Sequence, residues 1–143
     1  MLDDVLTEES WCIDGEAVVD AVRQRARELA SQLGMERRDS EAVAIAVSEL
    51  GYNIALHAGS GQVVLQTVQH RGRRGFIAIA SDAGPGIDDI QWALTDGCTS
   101  GAGLGCGLPA VRRLMDEFCI DTVVGKGTTV TVRKWTGSPD ERG

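Results

Sequence analysis

The sequence predicts an α+β fold, a two-layer α/β sandwich with helices on one face of a mixed, mostly antiparallel sheet. Two observations carry this. Two long stretches with apolar residues at helical spacing come first, and strand-like segments follow in adjacent pairs rather than alternating singly with helices. The third observation is bulk. A chain of 143 residues, 43% hydrophobic and 24% charged, is ordinary globular usage, enough for one domain with its own core.

Taken in order, residues 1–10 read as an acidic segment. Residues 16–33 form the first helix, because Val18, Val22, Ala26, Leu29 and Leu33 fall on one face. Asp14 is its candidate N-cap, and Gly34 stands where a C′ glycine belongs. Residues 40–57 form the second helix, capped by Asp39 or Ser40. Gln62–Gln69 and Gly75–Ser81 are strands joined by a basic turn, His70-Arg-Gly-Arg-Arg-Gly75. Leu104, Leu108, Val111, Met115 and Phe118 predict a third helix over 104–118. Cys119–Val124 and Thr128–Trp135 are strands of a hairpin turning at Gly125-Lys-Gly127. Residues 1–136 make the domain, and 137–143 a flexible tail.

Charge and cysteines narrow the function. A net charge of -7 speaks against a nucleic-acid partner and against attachment to anionic lipid. No run of 18 apolar residues spans a membrane, and Met1-Leu-Asp-Asp-Val5 carries no signal-peptide pattern, so the expected location is cytoplasmic. Cys12, Cys98, Cys106 and Cys119 form no Cys-x-x-Cys and read as free thiols, with Cys12 and Cys119 expected in the core.

Three segments carry chemistry. On a helix turning about 100° per residue, with Glu49 at zero, Ile45 falls at about −40°, Asn53 at about 40°, Leu50 at about 100° and Ile54 at about 140°. Glu49 and Asn53 are thus one turn apart within an apolar arc. They are either a helix-edge pair, a satisfied core hydrogen bond, or a site combining a proton-accepting carboxylate with a hard-metal amide ligand. Asp82-Ala-Gly-Pro-Gly86 ends a strand-like segment. It offers a carboxylate acceptor and a backbone that a flat ligand can approach, or it is a type II turn around Pro85. Gly101-Ala-Gly-Leu-Gly-Cys-Gly107 alternates glycines up to a helix start with Pro109 in its first turn. It is an anion-binding loop or a flexible surface loop, and no Gly-Lys-Ser/Thr makes it a Walker A loop.

Together these boxes resemble the ATP-binding superfamily of gyrase, its heat-shock chaperone relative, histidine kinases and MutL. Glu49-Leu-Gly-Tyr-Asn53 resembles the N-box, Asp82-Ala-Gly-Pro-Gly86 the Asp-x-Gly-x-Gly box, Gly103-Leu-Gly-Cys-Gly107 the lid box and Gly127-Thr128 the late Gly-Thr. Within it, residues 15–135 are most similar to the stand-alone serine/threonine kinases of the anti-sigma-factor group, the RsbT-type stressosome switch kinases. Tyr52 replaces the Arg usual before the N-box Asn, and Cys98-Thr-Ser replaces the usual Tyr-Ser-Thr. Residues 1–40 hold no histidine for a phospho-acceptor helix, so a histidine-kinase fragment is not the expected reading.

The resemblance implies a histidine-kinase-type ATPase fold and an ATP- and Mg²⁺-dependent protein serine/threonine kinase. Glu49 would be the base and Asn53 the Mg²⁺ ligand. Asp82, Gly84, Gly86 and Thr128 would bind adenine. Gly103, Leu104, Gly105, Gly107 and Leu108 would fold over the phosphates. The implied substrate is a STAS-domain protein, with a PP2C-type phosphatase or a sigma factor as further partners. The alternative is a binding module or anti-sigma factor that holds ATP and sequesters or activates a partner without catalysis.

Overall fold

The structure is a computed structural model that describes residues 4–87 and 107–137. It contains β1 (Asp4–Ile13), α1 (Ala17–Gln32), α2 (Arg37–Asn53), a π-helical turn (Ile54–Ala58), β2 (Gly61–His70), β3 (Arg73–Asp82), α3 (Leu108–Leu114), β4 (Glu117–Val123) and β5 (Gly127–Trp135). The five strands form one sheet in the order β1-β2-β3-β5-β4. Every pairing among the described residues is antiparallel, so the parallel component expected of a mixed sheet is not among them.

Alternation builds the two layers. Val63 and Leu65 on β2, Phe76, Ala78 and Ala80 on β3, and Val130 and Val132 on β5 are buried in one core with α1, α2 and α3. Gly51 of α2 lets the helices meet closely, since a Cβ there would lie 3.2 Å from a Val19 methyl. α1 closes as the glycine predicts. Gly34 has φ +93°, its N–H donates to Ser31 O at 3.0 Å, and the Met35 N–H donates to Ala30 O at 3.2 Å. The β2–β3 hairpin turns tightly on Arg71 and Gly72, both at positive φ.

Several expectations are corrected. The acidic N-terminal segment is an edge strand. Its odd positions Glu9, Trp11 and Ile13 lean inward and its even positions face out. Cys12 is one of these outward residues and is exposed, not core. Cys119 is exposed for the same reason, standing between the inward Phe118 and Ile120. Neither expected cap serves the helices. Glu16 and Glu36 occupy the N-cap positions, without side-chain capping bonds.

The third helix is shorter than its apolar spacing suggests. It ends at Leu114, and Met115 is extended at φ −105°, ψ 156°. Tertiary bonds decide this. Lys134 Nζ donates to Leu114 O at 2.8 Å, and the Asp116 N–H donates to Arg133 O at 2.9 Å, drawing the chain into the sheet.

One ion pair ties the edge strand to α1. Arg25 Nε donates to Glu9 Oε2 at 2.8 Å and its Nη2 reaches the same carboxylate. The Arg25 guanidinium holds the Glu9 carboxyl below its ordinary value, hydrogen bonding being the main cause. A lowered carboxyl pKa stabilises the fold above the ordinary carboxylate value and loses that effect as pH falls through the lowered value. Glu9→Gln is therefore expected to cost roughly 0.5–1 kcal/mol in urea titrations at pH 7 and nothing at pH 2. An equal cost at both pH values contradicts the ionic origin.

Candidate functional site

The apolar stripe of α2 runs through Val43, Ala46, Val47, Leu50 and Gly51, and Ile54 continues it. Ile45, expected inside the arc, is 44% exposed. Glu49 and Asn53 therefore sit at the stripe's margin, both half-buried, rather than inside it. That placement keeps two polar side chains next to the core yet accessible to a ligand.

Helix α2 does not run on to residue 57. From Asn53 it passes into a π-helical turn, closed by the Gly59 N–H donating to Ile54 O at 2.9 Å, with Gly59 at φ +85°. Such single wide turns recur at functional sites. This one brings Ala58 against Gly84, where a Cβ on the glycine would lie 2.7 Å from the Ala58 Cβ. The end of α2 and the Asp82–Gly86 loop are thereby held together.

The loop opens on an Asx turn, and the positive φ of Gly86 suits the third position of the type II turn expected around Pro85. The Gly84 N–H donates to Asp82 Oδ1 at 2.9 Å. The other carboxylate oxygen, Oδ2, has no hydrogen-bond partner among the described residues. Gly86 has φ +77°, and a Cβ there would lie 2.5 Å from Val123 O. The close approach it permits within the chain is to the β4–β5 hairpin, whose Gly125 N–H donates to Pro85 O at 2.8 Å.

The sheet completes the site. Asp82 lies directly opposite Thr128 on β5, and Thr128 opposite Thr122 on β4. Directly opposed residues share a face, so the three side chains form a row at one end of the sheet. Gly127 makes this possible, because a Cβ on it would overlap the Asp82 carbonyl.

Gly107, at φ +72°, precedes α3. Its missing side chain leaves the space that the Glu49 carboxylate occupies. The Leu108 side chain is buried in the core, so only its backbone can meet a ligand. The expected lid residues Gly103, Leu104 and Gly105, and Cys98 and Cys106, lie outside the described residues.

The structure thus gathers Glu49, Asn53, Asp82, Gly84, Gly86, Gly107 and Thr128 around the junction of α2, the end of β3 and the start of β5 and α3. Thr122 belongs to the same row and was not among the expected site residues. The hairpin register that pairs it with Thr128 is the signal that could have found it. No helix among the described residues is long and apolar enough to cross a membrane.

Comparison with known proteins identifies the family. The model of the histidine kinase-like ATPase domain matches residues 15–134. The chain belongs to the histidine kinase-like ATPase family. It is also 46% identical over 115 residues to the serine/threonine-protein kinase RsbT of Bacillus subtilis (strain 168), covering 80% of this chain and 86% of that protein. Within the family the chain is therefore RsbT-like.

Proposed function

We propose that this chain is a protein serine/threonine kinase that moves the γ-phosphate of ATP to a hydroxyl of a STAS-domain partner, in partner switching that governs a sigma factor. The observation that carries the reading is the convergence of Glu49, Asn53, Asp82 and Thr128 on one sheet end. The 46% identity to a serine/threonine kinase supports the class of reaction.

The donor set fits Mg²⁺ held mostly by phosphate. Among the described residues no three His, Cys, Asp or Glu side chains form a metal cluster. Mg²⁺ commonly takes only one or two protein ligands beside substrate phosphates and water. Asn53, half-buried at the end of α2, is the residue that would supply its amide oxygen. When bound, the ion neutralises charge on the phosphates.

The remaining work falls to the chain. Asp82 Oδ2 accepts a hydrogen from the adenine amino group, and Thr128 sits beside it. Glu49 receives the proton of the attacking serine or threonine hydroxyl. The new bond joins that oxygen to the γ-phosphorus, and the bond from phosphorus to the β–γ bridging oxygen breaks, releasing ADP. Transfer of this kind depends on positioning and charge neutralisation more than on covalent help.

The test is incubation with γ-labelled ATP and Mg²⁺ beside purified STAS-domain proteins. Label on a serine or threonine of one of them is the expected result. Stable binding of such a protein with ATP present and no label transferred would favour a binding module instead.

A further inference from the structure

The Thr122 hydroxyl has three polar neighbours. The Ile87 N–H donates to it at 2.9 Å, Gly127 O lies at 3.2 Å, and Thr128 Oγ1 lies at 2.8 Å. A threonine hydroxyl has one hydrogen and two acceptor lone pairs. The Ile87 N–H fills one lone pair. A carbonyl can only accept, so Gly127 O takes the Thr122 hydrogen. One lone pair is left for Thr128, and the hydrogen in that contact then comes from Thr128.

We infer that Thr122 is a specificity-determining residue that fixes the hydrogen-bond polarity of Thr128. With its hydrogen spent on Thr122, Thr128 offers the ligand lone pairs only. This inference rests on the reading of Asp82 and Thr128 as the seat of the nucleotide base. The Asp82 carboxylate is likewise an acceptor, and it is the next residue in the row. Two adjacent acceptors suit an exocyclic amino group, which has two hydrogens to give. They oppose a keto oxygen, whose lone pairs would face theirs. The row therefore selects amino-purines over keto-purines, and Thr122 sets half of that selection without touching the base.

The loop does not depend on Thr122 alone. The Gly125 N–H to Pro85 O bond and the seating of Gly86 against Val123 hold it as well. Loss of the Thr122 hydroxyl should alter polarity at Thr128 more than the position of Asp82.

The experiment measures affinity of the full chain for ATP and for inosine triphosphate, whose base carries a keto oxygen in place of the amino group. It uses the parent, Thr122→Val and Thr122→Ser. Valine is isosteric and suits a half-buried strand position, so the sheet is expected to form. The parent is expected to prefer ATP. Thr122→Val frees the Thr128 hydrogen to donate to the keto oxygen, and the preference should fall by about tenfold, the worth of one hydrogen bond. Thr122→Ser keeps the hydroxyl and should keep the parent ratio. A Thr122→Val ratio equal to the parent's overturns the inference, and so does an equal fall in both variants. A parent with no preference overturns the base-binding reading itself.

Discussion

Glu49→Gln is expected to slow phosphate transfer on the order of 10²-fold or more while leaving Mg-ATP affinity close to that of the parent. A base is needed to take the proton of the attacking hydroxyl, not to hold the nucleotide. Glutamine keeps the length and shape of glutamate and removes only the proton-accepting charge. The neighbouring structure makes the substitution clean. Glu49 is half-buried at the margin of the α2 stripe, and its carboxylate occupies the space left by the missing side chain of Gly107. An amide fits the same space. Single-turnover transfer to a STAS-domain protein, beside an equilibrium binding measurement, separates the two effects. Transfer at the parent rate removes Glu49 from the role of base.

Asp82→Asn is expected to weaken ATP binding about 10–100-fold while sparing the fold, from the loss of one charge-assisted hydrogen bond of roughly 1.5–3 kcal/mol. The Asx turn explains the sparing. Asp82 Oδ1 accepts the Gly84 N–H, and an asparagine carbonyl oxygen can take over that bond. The asparagine NH₂ must then stand where Oδ2 stood, presenting a donor to the adenine amino group, itself a donor. Calorimetric titration with a non-hydrolysable ATP analogue and thermal unfolding of the free protein read the two quantities apart. Unchanged affinity in the folded variant contradicts the role given to Asp82.

The parts of this fold that depend on local chemistry were legible from the residues. Leu29, Leu33 and Gly34 fixed the end of α1, and the basic segment His70–Gly75 marked the β2–β3 turn, which the structure narrows to Arg71-Gly72 with Arg73 and Arg74 already in β3. What depended on distant partners was not. The spacing of Leu108, Val111, Met115 and Phe118 suits a helix. It does not show that Lys134, far along the chain, bonds Leu114 O and ends it. β1 was hidden because an edge strand buries little. Its inward Glu9 is satisfied by Arg25 of α1, a partner that no local pattern predicts.

The site divides in the same way. Glu49, Asn53, Asp82 and Thr128 were recognisable because each sits in a short box of fixed spacing. Their meeting point was not, since it rests on contacts between boxes: Gly84 on Ala58, Gly127 on the Asp82 carbonyl and Glu49 in the space at Gly107. Ile45 was misplaced because 100° periodicity alone cannot say where α1 and the sheet stop covering α2.

On the function proposed above, these boxes form one nucleotide site at one end of the sheet. Backbone hydrogen exchange of the full chain, with and without Mg-ADP, tests it directly. Added protection is expected at 49–59, 82–87, 107–111 and 122–128, with no change in β1 or at the opposite sheet end around Arg71-Gly72. Protection gained at that opposite end, with 82–87 and 122–128 unchanged, would contradict it.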